Sequence, residues 1–145
     1  FAGLCGHTTR GDTLRAVFEG LDYQFLDIAT ALQQVLHIEI DKLVAVGGAT
    51  RNRFWMQNKA DVVGRPVEVP DVDEATPLGA AILAGIGLGL YENEDDALRR
   101  VYRVGTTYEP DEARHAQYAR WFETYRELYP ALRPISHRLH GEFLA

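Results

Sequence analysis

From residue 14 to residue 36, apolar residues return every three or four positions: Leu14, Val17, Phe18, Leu21, Phe25, Ile28, Leu32, Val35 and Leu36. This spacing places them on one stripe of an α-helix, with Arg15, Glu19, Asp22 and Gln33 off it, and predicts that the stripe faces a core. Thr9, three residues before Asp12, offers a capping box at the helix start. The short apolar run Phe1 to Leu4 reads as a strand leading into it.

The pattern changes at Leu43-Val44-Ala45-Val46, an unbroken apolar run bounded by Lys42 and Gly47-Gly48. Four apolar residues without alternation predict a strand covered on both faces, as in a parallel sheet. A second helix is expected from Arg53 to Val63, ended by Gly64 as its C-cap glycine. Pro66-Val-Glu-Val-Pro70 reads as a short strand whose prolines suit strand ends or a sheet edge. Thr76 as N-cap and Pro77 as first helical residue predict a third helix. Its small residues Gly79, Ala80, Ala81, Ala84, Gly85 and Gly87 suggest close packing on the sheet. A long helix is expected from Asp111 to Tyr129, with Tyr118, Phe122, Tyr125 and Tyr129 on one packing face. Pro130 and Pro134 should interrupt it, leaving a short terminal helix from Ser136 to Leu144. Strands alternating with helices give an α/β layer fold, divided into residues 1–110 and a helical tail, residues 111–145, packed on them.

Composition narrows the function classes. Fifteen Lys and Arg against 21 Asp and Glu leave a net charge of -6, which argues against a nucleic-acid surface. The longest apolar stretch, Leu78 to Leu90, is too short for a bilayer and is broken by glycines. One cysteine, Cys5, excludes an internal disulfide and fits a reducing, cytoplasmic setting. It has no evident activating base in the sequence and is expected to be a buried thiol. The chain starts at Phe1 and its only methionine is Met56, so a piece of a longer protein is expected, with an upstream domain missing and homo-oligomerisation possible through uncovered faces.

The chemistry is concentrated after the Leu43–Val46 strand, where Gly47-Gly48-Ala49-Thr50-Arg51-Asn52 leads into a helix. Glycines there permit a sharp turn and a close approach by a ligand, and a helix start offers unpaired N–H groups to an anion or nucleotide. Asn52 carries a donor and an acceptor, suited to capping the helix or to bonding a base or ribose. No Walker lysine is present, which excludes a P-loop, and Gly85-Ile-Gly87-Leu-Gly89 stands at a helix end rather than a strand–helix turn, so it is no dinucleotide fingerprint. Asp71, Asp73 and Glu74 lack calcium-loop spacing and read as a solvated acidic turn. His137 and His140 read as surface residues; His7 lies near a turn expected to face the cleft, and capping explains it equally well.

Gly47-Gly-Ala-Thr-Arg-Asn52, with Phe54-Trp-Met-Gln57, Ala60-Asp61, Gly64, Pro66-Val, Glu74 and Leu78-Gly79-Ala80-Ala81 in order, resembles the FGGY carbohydrate kinases. Gly3-Leu4, His7-Thr8, Arg15-Ala16 and Glu19-Gly20 fit the same pattern. The resemblance implies the C-terminal portion of an actin-like, ribonuclease-H-like ATPase domain, with ATP against this portion and the sugar and catalytic carboxylate in the missing N-terminal domain. In the family the second glycine of the pair and the asparagine four residues on contact the nucleotide. By resemblance Gly48 and Asn52 carry over as ATP contacts, with Gly47, Ala49 and Thr50 shaping the loop. No catalytic or metal-ligating residue is assigned to this chain; Mg2+ would be held through the ATP phosphates and the missing domain. Val46 stands where many members carry Asp or a third Gly, which implies either a drier pocket wall or a merely structural one there. The family resemblance implies transfer of the ATP γ-phosphoryl group to a sugar or polyol hydroxyl, and the tail from Tyr108-Glu-Pro-Asp111 through Tyr129, which resembles xylulokinase-like members, favours a pentulose slightly among these acceptors. The fragment alone would be inactive. The alternative class is a non-catalytic actin-like module that binds a nucleotide or a partner chain.

Overall fold

A computed structural model describes residues 1–72 and 74–143. Five α-helices and three strands are seen among them: α1 (Arg10–Leu36), β1 (Leu43–Val44), α2 (Arg53–Val63), β2 (Val67–Pro70), α3 (Ala75–Gly87), α4 (Glu94–Val101), β3 (Val104–Tyr108) and α5 (Glu112–Phe143). None of the described helices is long and apolar enough to cross a membrane.

The sheet runs β1-β2-β3, with β1 parallel and β3 antiparallel to β2. Leu43 faces Val67, and Val67 faces Tyr108 across the next ladder. β2 is therefore the central strand. Its prolines occupy the strand ends, not a sheet edge: Pro66 precedes it, and the β2–β3 register slips between Val69 and Pro70. Proline has no N–H to give the ladder, so a shift there leaves no donor wasted. Gly105 sits opposite the slip, where a Cβ would come within 3.1 Å of the Val69 carbonyl oxygen and the Asp71 nitrogen.

α2 lies between the sheet and a pair of long helices. On one side Met56 and Ala60 pack with Val67, supported by Leu43, Ala45, Val69 and Tyr108. On the other, Val62 packs with Tyr23 of α1 and with Tyr118 and Phe122 of α5. Tyr23 stacks on Phe122 with ring centres 5.7 Å apart. The α2 boundaries agree with the sequence pattern, and Gly64 caps the helix in the left-handed region at φ 69°.

Several expectations change. The α1 capping box forms, with Asp12 N donating to Thr9 Oγ1 and Thr9 N to Asp12 Oδ2. The predicted core stripe, however, is not the buried face: Leu14, Val17, Leu21, Ile28, Leu32, Val35 and Leu36 are exposed, while Asp22, Tyr23 and Ala29 are buried. Period places residues on a common face but does not say which partner covers it. Here α2 and α5 meet the flank of the stripe: Phe18 packs on Trp55 and Phe25 lies under Lys59, while Tyr23 enters the α5 cluster. β1 likewise is covered on one face only, by α2 and its neighbours, while Val44 and Val46 stay exposed. Phe1–Leu4 is not a strand; among the described residues no strand lies beside it to complete a ladder. Cys5 is exposed, not buried.

α3 begins at Ala75, so Glu74 takes the N-cap position in place of Thr76, without a side-chain cap. Pro77 falls in the first turn, where a missing N–H is still tolerated. Nor does the small-residue run lie tightly on the sheet. A Cβ on Gly79 or Gly87 would meet nothing within 4 Å, whereas Gly85 is covered by the Tyr91 ring. α5 continues through both Pro130 and Pro134 to Phe143. Each proline removes one intrahelical bond, yet the residues between them, Ala131, Leu132 and Arg133, are strong helix formers that keep the segment helical. The expected end at Leu144 lies outside the described residues. Tyr118, Phe122 and Tyr125 form the packing face; Tyr129 is 69% exposed and does not join it. α4 and β3 have no counterpart in the sequence reading. The helix signals were present for α4: Asn93 caps it, Glu94, Asp95 and Asp96 fill the first turn, and Arg99 and Arg100 the last.

The Gly64 cap gives a direct test. A Cβ there would run into the His115 ring, and the backbone is left-handed. Gly64→Ala is expected to lower unfolding free energy by about 1–3 kcal/mol, measured by urea denaturation. Gly20→Ala, inside α1 where a Cβ meets nothing within 4 Å, is expected to raise it by roughly 0.5–1 kcal/mol.

Candidate nucleotide site at the β1–α2 turn

Because β1 and β2 are parallel, the segments that follow them emerge at the same edge of the sheet. In α/β sheets that carboxyl edge is where ligands bind. The β1 segment opens there into Gly47-Gly48. Gly47 holds φ 87°, a left-handed value that suits glycine. A single 3₁₀ turn, Gly48–Arg51, follows. Thr50 locks it by donating both its N–H and its hydroxyl to the Gly47 carbonyl, at 3.1 and 2.8 Å. Thr50 thus shapes the turn and has its hydroxyl proton committed.

Gly48 and Ala49 are exposed at the start of this turn. A Cβ built on Gly48 would meet nothing within 4 Å, and its φ is not left-handed. The glycine is required neither by backbone conformation nor by protein packing, so the space above it is open to a ligand. Asn52 closes the turn. Its N–H donates to the Ala49 carbonyl at 3.1 Å, and its Oδ1 accepts from Trp55 N at 3.1 Å, capping α2. Capping uses the Asn52 oxygen only; among the described residues Nδ2 has no recorded partner, which leaves both donors for a ligand. The five residues picked from the sequence therefore form one continuous turn: Gly47 and Thr50 build it, Gly48 and Ala49 present its backbone, and Asn52 joins it to the helix.

The sequence reading missed what holds this turn from behind. Arg51 and Arg53, both exposed, flank Asn52 and pair with no carboxylate among the described residues. Trp55 packs against Phe18 with ring centres 5.1 Å apart, and its indole N–H donates to the buried Asp22 of α1. Asn58, also buried, donates to the Tyr118 hydroxyl at 2.7 Å. That hydroxyl donates to Glu19 and also accepts from Arg15. Burial pushes the Tyr118 phenol above its ordinary range. Asp61 accepts from Gln57, from the Asp111 backbone N–H and from Arg114, which ties the start of α5 to α2. Polar residues on α2 were the signal available for these contacts, but their partners on α1 and α5 lie 33 to 60 positions away.

The other candidates do not assemble a site. Asp71 and Glu74 are exposed after β2, and Asp73 lies outside the described residues. Among the described residues no three His, Cys, Asp or Glu side chains converge as metal ligands. His137 and His140 are exposed on α5. His7 lies beside Cys5, with Nε2 3.3 Å from Sγ, and hydrogen bonds from the Thr8 side chain and then the His7 backbone lower the thiol pKa. A groove of about 650 Å³ between α1 and α5 is lined by Val17, Leu21, Trp121, Leu128 and Leu132 and includes none of Gly47–Asn52.

Residues 1–88 match the model of the FGGY family of carbohydrate kinases, C-terminal domain. A xylulose kinase of Staphylococcus epidermidis is 29% identical over 136 residues, covering 94% of this chain and 27% of that protein. The crystal structure of xylulose kinase from Rhodospirillum rubrum superposes with a TM-score of 0.80 at 32% identity, over 94% of this chain and 28% of the other. That of Plasmodium falciparum glycerol kinase with ADP does so with a TM-score of 0.71 at 28% identity, over 86% and 26%. The chain spans about a quarter of the length of the relatives it matches. Its fold is the C-terminal portion of the actin-like ATPase fold of these kinases, and with the family pattern matched over more than half of its residues, this chain belongs to the FGGY family of carbohydrate kinases.

Proposed function

We propose that this chain is the nucleotide-side portion of an ATP-dependent kinase that transfers the γ-phosphoryl group of MgATP to a hydroxyl of a sugar or polyol. The observation that carries the reading is the Gly47–Asn52 turn, with open space over Gly48 and an amide group on Asn52 free to donate. Phosphoryl transfer depends chiefly on positioning and charge stabilisation. The turn would supply positioning: the Gly48 and Ala49 backbone approached by the nucleotide, and Asn52 Nδ2 donating to it. Mg2+ would be held through the ATP phosphates and groups outside this chain. A related glycerol kinase was crystallised with ADP, which supports a nucleotide as the ligand of the family.

Residues 1–110 would form the nucleotide-side unit and residues 111–145 a helical tail on it. The similarity to xylulose kinases runs through that tail, over 94% of the chain against 86% for the glycerol kinase, and this favours a pentulose as acceptor. The sugar pocket and the base that takes the hydroxyl proton belong to the remaining domain. Closure of the two would exclude water from the transfer. The exposed apolar residues of α1 and β1 are the surface for the rest of the kinase, and without it the chain would be prone to associate with itself.

Two variants of the complete kinase separate ligand contact from folding. Asn52→Asp keeps a capping oxygen for Trp55 N but removes the amide donor; stability should change by less than about 0.5 kcal/mol, while MgATP affinity should fall at least two- to tenfold, as for a lost hydrogen bond of roughly 0.5–1.5 kcal/mol. Gly48→Val fills space that is empty in the protein, so it should fold and lose nucleotide affinity. Calorimetric titration with MgATP and thermal melting read the two effects. Unchanged nucleotide affinity in both variants would place the site on another loop.

The 145-residue chain by itself is expected to show no sugar-dependent ATP consumption in a coupled assay. Turnover by the purified chain, free of contaminating kinases, would refute the two-domain division of labour.

A further inference from the structure

Asp22 is the one carboxylate of α1 that is fully buried, at 0% exposure. Its Oδ1 accepts from the Trp55 indole at 3.0 Å and from Lys59 Nζ at 2.5 Å. Its Oδ2 is buried and has no partner in the protein. Burial raises its pKa, opposed by Lys59 and then by the Trp55 hydrogen bond. The Lys59 ammonium in turn lies over the Phe25 and Trp55 rings, 4.8 and 5.6 Å from their centres. An ion pair of this kind is weak evidence for stability, because desolvation offsets much of the attraction and a well-packed apolar pair often does as well. What the arrangement does achieve is geometric. Trp55 and Lys59 are one helical turn apart on α2, so a single carboxylate oxygen fixes both the rotation and the height of the helix's first turns.

That constraint reaches the candidate site in one residue. The same Trp55 gives its side-chain N–H to Asp22 and its backbone N–H to Asn52 Oδ1. Asn52 can offer Nδ2 outward only while its oxygen is held by that amide. We propose that Asp22 is a positioning residue for the nucleotide turn, acting through Trp55 to orient the Asn52 amide. The inference rests on the reading of Gly47–Asn52 as a nucleotide site, and it deepens that reading by adding a residue on another helix that never touches the ligand.

The test uses the complete kinase and MgADP as probe, with hydrogen–deuterium exchange over residues 52–57 of the unliganded protein as a second readout. Trp55→Phe keeps an aromatic ring but removes the indole donor. Asp22→Ala removes the acceptor, and Asp22→Asn retains one for the indole while discharging the pair with Lys59. Trp55→Phe and Asp22→Ala should each weaken MgADP about two- to tenfold and speed amide exchange at Trp55 and Met56. Combining them should add little, since both remove the same link. Asp22→Asn should melt at a lower temperature yet restore most of the affinity lost in Asp22→Ala, a split that a purely structural role would not produce. If Asp22→Ala does not fold, Trp55→Phe decides the matter alone. Wild-type MgADP affinity and exchange in Trp55→Phe, alongside weakened binding in Asn52→Ala, would overturn the positioning role. Should Asn52→Ala also bind normally, the nucleotide reading falls instead. Exchange at Trp55 then decides: unchanged rates overturn the Asp22 link and faster rates uphold it.

Discussion

The structure depends on α2 being packed on two faces at once. Met56 and Ala60 seat it on the sheet, and Val62 seats it on the aromatic cluster of α1 and α5. Apolar packing of this kind is non-directional; it would tolerate rotation of the helix about its axis. Direction comes from polar contacts along the same element: Trp55 and Lys59 to Asp22, Asn58 to Tyr118, and Asp61 to Arg114 and the Asp111 backbone. Each is buried or half-buried at the helix, where an unmade bond costs more than a made one contributes. Together they leave α2 one orientation, and its first residue follows directly from the Asn52 cap.

The candidate site inherits its geometry from that orientation. A glycine-rich turn alone would be a flexible connector. Here its entry is set by the left-handed Gly47, its middle by Thr50 closing back on the Gly47 carbonyl, and its exit by the Asn52–Trp55 cap. Space stays open over Gly48, where a Cβ would meet nothing within 4 Å. The same structure leaves the α1 stripe and the outer face of β1 uncovered. The chain spans about a quarter of the length of the relatives it matches.

Much of the local structure was legible because its causes are local. The Thr9–Asp12 box, the Arg53–Val63 helix with its Gly64 cap, and the Gly47–Asn52 turn are each specified by residues within four positions of one another. The family pattern was legible for a related reason, since its residues stand in fixed order along the chain. Where the reading failed, the deciding partner was distant or an ordinary rule was overridden. Phe1–Leu4 has the composition of a strand but no neighbour to pair with among the described residues. Pro130 and Pro134 lie within a helix that runs through them. The α4 helix carried its cap and its charge gradient openly, and attention to first- and last-turn charges would have found it.

The sequence by itself determined the type of most elements, the caps that start and stop them, and the turn that carries the candidate chemistry, because dihedral preference, periodicity and capping act over one or two helical turns. It also placed Leu14, Val17, Leu21 and their kin on one face of α1. Only the tertiary structure decided that most of this face is left open and that the neighbouring one, with Asp22, Tyr23 and Ala29, is buried, because burial depends on which element arrives at a helix and not on the helix's own period. Only the tertiary structure, too, brought Asp22 onto Trp55 and Lys59 across 33 and 37 positions of chain. A polar residue off an apolar stripe reads as solvated until a donor from another helix is found beside it, and no spacing rule along one helix can supply that donor.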